Sequence, residues 1–95
     1  MKPTDIVEKY IRENSNGKDT PVCSSEIAKA FGVPRTSVRH MINSARSNGS
    51  PICSCQKGYY IATDKVEIQE TIDSMRGRIA KMEKAISGLE LCLSN

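Results

Sequence analysis

Residues 24–62, SSEIAKAFGVPRTSVRHMINSARSNGSPICSCQKGYYIA, decide the fold. Ser24 is placed to cap a helix whose apolar face carries Ile27, Ala28 and Phe31. Gly32 ends it, and Gly32-Val33-Pro34 makes a turn. Pro34 stands at or beside the start of the next helix, where a missing backbone donor costs nothing. That helix runs to about Asn48 and stops at Gly49, with Val38, Ile42 and Ala45 on its buried face. PICSC (51–55) and YYIA (59–62) read as two short strands, joined by Gln56-Lys57-Gly58, where Gly supplies a positive φ.

Upstream, Thr4 to about Asn14 is a third helix, with Thr4 or Asp5 as cap and Ile6, Val7, Tyr10 and Ile11 on one face. Residues 14–21 form a loop, and Val22-Cys23 a very short strand. The order is helix, short strand, helix, turn, helix, strand, strand: mainly α with a small β-hairpin, an α+β chain.

The helix before the hairpin carries the chemistry. Opposite Val38, Ile42 and Ala45 it presents Thr36, Arg39, His40 and Asn43, with Arg35 and Ser37 flanking the N-terminal end. Arg pairs with guanine O6 and N7, Asn with adenine, and Ser or Thr with several base edges. Arg46 lies further along, as a phosphate contact or as a link back to the domain. Lys57 stands at the hairpin tip. From residue 27 to residue 63 there is no acidic side chain, whereas Lys29, Arg35, Arg39, Arg46 and Lys57 fall there. Residues 1–62 hold nine basic and five acidic groups, and residues 63–95 hold five and six. The overall +3 therefore hides a basic head and a near-neutral tail, the charge footprint of nucleic-acid binding.

Two helices across a tight Gly turn, followed by a hairpin, resemble the winged helix-turn-helix. The runs EIAKAFGV, RTSVRHMIN, RSNG and KGYYIA are similar to the DNA-binding domain of the biotin-operon-repressor type, over about residues 4–62. That resemblance implies a second turn helix seated in the major groove of double-stranded DNA, and a wing whose tip residue Lys57 touches phosphate or the minor groove rather than serving as an ordinary solvated loop Lys. The catalytic and ligand-binding domains that often accompany such a head have no counterpart here, so the resemblance implies no metabolite sensing.

After residue 63 the pattern changes. Asp64 and Glu67 suggest a capping box, and Ile68, Ile72, Met75, Ile79, Met82, Ile86, Leu89 and Leu93 recur at spacings of 4, 3, 4, 3, 4, 3 and 4. The seam covers 26 residues, about 39 Å of helix. With Ile72, Ile79, Ile86 and Leu93 at heptad position a, the β-branched residues favour a parallel pair, in which Arg78 at g meets Glu83 at e of the partner. The expected organisation is a head over 1–63 and a coiled-coil dimerisation helix over 64–95. The strict seam favours a homodimer over a fold-back on the head, which calls for a wider apolar face; antiparallel pairs and tetramers stay open because Met at d specifies poorly, and so does a heterologous coiled-coil partner.

Cys23, Cys53, Cys55 and Cys92 include no C-x-x-C pair, and the one His sits on the reading helix, so neither metal nor cofactor is expected. No nucleophile-base-acid constellation and no Gly-rich phosphate loop occur, which argues against an enzyme. With no signal-peptide run and no apolar stretch of membrane-spanning length, the expectation is a cytoplasmic protein without membrane contact, in the bacterial cytoplasm or nucleoid. Three readings follow: a bacterial or phage transcription regulator on an inverted-repeat operator, a phage or plasmid replication or partition factor, and a protein-interaction adaptor.

Overall fold

The computed structural model describes residues 3–94, with side chains from Ile6 onward. Six elements follow in order: α1 (Pro3–Asn14), α2 (Ser24–Phe31), α3 (Arg35–Ser47), β1 (Ile52–Cys55), β2 (Gly58–Ile61) and α4 (Lys65–Ser94). The chain is mainly helical, with one antiparallel hairpin and one long C-terminal helix. The expected caps Thr4 and Asp5 lie outside the described side chains. Ser24 is the first residue of α2 rather than its cap. Cys23 takes that place, with extended φ −78° and ψ 157°.

The core is where the three short helices meet one face of the hairpin. Val7 and Ile11 of α1, Ile27 and Ala28 of α2, and Val38, Ile42 and Ala45 of α3 close on Val22, Ile52 and Ile61. Tyr10 and Phe31 cap one edge as a T-shaped pair with ring centroids 5.4 Å apart, a geometry that matches ring edge to ring face. The register Ile52↔Ile61, Cys53↔Tyr60, Ser54↔Tyr59, Cys55↔Gly58 leaves two residues, Gln56 and Lys57, in the turn. Val22 adds one bridge beyond β2, exchanging two 2.8 Å hydrogen bonds with Tyr59.

Residues on the other hairpin face point toward α4. The Cys53 thiol donates to the Glu67 carbonyl at 3.5 Å, and Tyr60 is buried. The start of α4 is held by its own side chains. Asp64 Oδ1 accepts from the Glu67 N–H at 2.9 Å, and Glu67 Oε1 accepts from the Thr63 N–H at 2.8 Å and its hydroxyl at 2.9 Å. The box thus reaches back one residue further than the Asp64-Glu67 spacing alone implies. Lys18 meets Glu70 at 3.8 Å. Beyond these turns the helix projects. The radius of gyration is 15.7 Å, against about 12 Å for a compact chain of this length.

Burial pushes the Tyr60 phenol up to about 12 from 10.0, with Cys53 and then Glu67 adding to it. The neutral phenol is favoured in the folded chain, so its stabilising effect is complete below pH 10.0 and disappears as pH rises toward 12. Urea melts of the protein and of Tyr60→Phe should lose stability in parallel up to that window. Within it the parent should fall faster; equal slopes would show that Tyr60 is not desolvated.

Candidate nucleic-acid interface

The α2–α3 connection sets the site. Gly32 takes left-handed φ 64° and ψ 37°, and the Val33 N–H reaches back to the Ala28 carbonyl at 3.0 Å. This closes α2 as a Schellman-type cap. Pro34, at φ −65° and ψ 156°, then launches α3. Val38, Ile42 and Ala45 are buried, which fixes the rotation of α3 about its axis and leaves Arg35, Thr36, Arg39, His40 and Asn43 exposed; Ser37 is half-buried. Arg35 Nε donates to Ser24 Oγ at 3.3 Å, tying the two helix starts together. Lys57 is exposed at the hairpin tip.

Arg46 departs from this outer face. Its Nε donates to the Ile52 carbonyl at 2.8 Å, its Nη1 approaches Met75 Sδ at 3.9 Å, and its guanidinium carbon lies 5.9 Å from the Tyr59 ring centroid. Burial lowers its pKa, the Tyr59 and Cys53 charges opposing that shift. Of the two roles open to it in the sequence, the link back to the domain matches this packing, because the guanidinium faces inward and phosphate contact would require it to swing out. Arg46→Ala should therefore cost about 1–3 kcal/mol of folding stability through the lost charged hydrogen bond and stacking. A chemical melt superimposable on the parent would contradict this.

A groove of about 830 Å³ runs between α3, the hairpin and α4. Its polar walls carry Arg39, Asn43 and Arg46 on one bank, Ser54 and Gln56 on the hairpin, and Ser74 and Arg78 on α4; Ile42, Tyr59, Met75, Ile79 and Met82 supply the apolar lining. Among the described residues, three arginines and no carboxylate border it. Nothing in the sequence pattern connects Arg78, Ser54 and Gln56 with α3. The only signal for Arg78 was its heptad position, and that becomes informative once α4 is known to rest on the head through this flank. Gln56, rather than Lys57, is the turn residue on the groove wall.

The seam is uncovered. Ile68 and Ile72 are each 36% exposed, Ile79 53%, Met82 64%, Ile86 52%, Leu89 68% and Leu93 87%, while Met75 is half-buried. The rise along the helix marks where the head stops shielding it. Among the described residues, Thr71 is the one buried residue of α4.

All four cysteines are free thiols. The Ser25 hydroxyl, followed by the Glu26 backbone N–H, holds the Cys23 thiol below its usual range. Among the described residues, no group of three or more His, Cys, Asp and Glu is arranged to hold a metal, and no helix is long and apolar enough to cross a membrane.

No family model, curated protein or solved structure matches the chain.

Proposed function

We propose that this chain is a sequence-specific double-stranded DNA-binding protein, a winged helix-turn-helix head carried on a coiled-coil dimerisation helix, acting as a small transcription regulator. The observation that carries the reading is the outer face of α3. Arg35, Thr36, Arg39, His40 and Asn43 stand exposed together, in a stretch without one carboxylate. Such a face joins base-edge donors and acceptors to a field that attracts phosphate. Lys57 at the hairpin tip extends the basic surface. The uncovered seam supports self-association, since a row of exposed Ile, Met and Leu this long calls for a partner.

Selection from a random duplex library at roughly physiological salt tests the reading, with affinity expected to fall steeply as salt rises. An enriched inverted repeat supports a dimeric reader, and enriched single half-sites support a monomeric one. No enrichment over an Arg39→Ala control overturns the DNA-binding proposal. On the recovered site, Arg39→Ala should cost about 1–3 kcal/mol and relax base preference at one position per half-site. A uniform loss across all sequences would instead mark Arg39 as a phosphate contact.

A further inference from the structure

We infer that the uncovered face of α4 takes a second copy of this chain running antiparallel, and that this places both heads on one face of a two-helix ribbon. The inference rests on the self-association proposed above and adds its direction.

The head packs on the g and c flank of α4, with Arg46 reaching Met75 at the edge of the seam and Lys18 paired to Glu70 at f. Thr71 is buried against it, the Glu67 carbonyl receives the Cys53 thiol, and Ser74 and Arg78 line the shared groove. In the heptad these are positions g, c, c and g. The opposite flank, at e and b, holds Gln69, Asp73, Arg76, Ala80 and Glu83, all exposed. In a parallel pair, g faces the partner's e, so the two heads would lie on opposite faces. In an antiparallel pair, g faces g, and both heads lie on the same face.

The seam accommodates the reversal over its full length. A two-fold axis between residues 80 and 81 sets Ile68 against the partner's Leu93, Ile72 against the partner's Leu89, Met75 against the partner's Ile86, and Ile79 against the partner's Met82. No seam residue is left over. Outside the head-bearing flank, Arg76 then faces the partner's Glu83, an opposite-charge pair made twice.

The same register accounts for the composition of the last turns. The stretch of the partner that passes the head presents its g and c positions, which are Ala85, Gly88 and Cys92. All three are small. They let a helix enter the trough between the first half of the seam and the surface formed by Arg46, Gly49, Ser50, Pro51 and Ile52. In a parallel pair Gly88 would face solvent, where it only weakens the helix. The two Thr71 anchor points come out about 28 Å apart along the ribbon at 1.5 Å per residue. That is on the scale of the roughly 34 Å between half-sites one turn apart on one side of a duplex.

Spin labels at Val66 and Ala80 test the direction, in a chain carrying Cys23→Ser, Cys55→Ser and Cys92→Ser. Both sites are heptad position b, so a parallel dimer gives one and the same distance at each. The antiparallel dimer gives about 43 Å of axial separation at residue 66 and almost none at residue 80. Equal distances overturn the direction while leaving self-association standing. Absence of dipolar coupling at both sites overturns self-association and the direction with it. A second test keeps the natural cysteines. Gly88→Gln raises helix propensity, so sedimentation should show a tighter dimer if residue 88 faces solvent and a dimer at least tenfold weaker if it faces the partner's head. Tightening overturns the inference.

Discussion

Ile86→Asp with Leu89→Asp should leave a monomer whose affinity for an inverted repeat is about 100-fold or more below that of the parent. Both residues are largely exposed in the single chain and touch neither the core nor the groove. Any loss must therefore come through a partner. Two half-sites held by one dimer act as a linked pair, and linkage of this kind contributes factors of about 10²–10⁴ without a new contact. Affinity for a single half-site should change little, because α3 is untouched. Sedimentation equilibrium and titration of both duplexes would check this. A double variant that remains dimeric would show that the seam is not the dimer contact. The far-UV helical signal should also drop, since half of α4 would lose its only support.

Gly58→Ala should be the most destabilising single change in the hairpin. Gly58 sits at φ 148°, and a Cβ there would fall 2.6 Å from the Val22 carbonyl carbon and 2.9 Å from Cys23 Cα. The obstruction is backbone on both counts, and that backbone is fixed by the two Val22–Tyr59 hydrogen bonds. Relief requires parting Val22 from β2, at the place where the start of α2 is set. We expect a cost of about 3 kcal/mol or more, from strained φ and overpacking together. At about 4–8 °C per kcal/mol for a domain of this size, the melting temperature should fall by roughly 12–24 °C. Gly49→Ala provides the contrast: it also has positive φ, 93°, but meets nothing within 4 Å, so it should carry only the conformational part of that cost. Equal shifts in the two variants would remove the close-approach argument.

The helical elements of the head were legible because the apolar spacing of Ile27, Ala28 and Phe31, and of Val38, Ile42 and Ala45, is set by the 3.6-residue repeat. That repeat also fixes which side of α3 faces out. The need for Gly at position 58 was legible as turn chemistry, but the carbonyl beside it belongs to Val22, 36 residues earlier, and local patterning carries no information at that range. The α2 cap falls at the thiol-bearing Cys23, one residue before the hydroxyl-bearing Ser24 that the sequence favours. The backbone conformation, rather than the better hydrogen-bonding group, fixed the boundary. Arg46 lies between two faces of α3, and only the position of Ile52 and Tyr59 decides that it turns inward. The flank on which α4 rests was not legible, because the residue buried there is Thr71, a polar side chain outside the apolar seam.

The length of α4 that stands clear of the head has a consequence for how the protein would respond to its own abundance. Among the described residues, every side chain of α4 beyond Met82 is exposed; if the proposed dimer forms, the order of these turns depends on how many other copies are nearby. If the two copies must join before an operator is held, occupancy at low expression rises with the square of the chain's concentration rather than in proportion to it. A modest change in synthesis or turnover would then move the operator between empty and filled. Lone chains with a frayed C-terminal end would also be the more open to proteolysis, which would sharpen that threshold further.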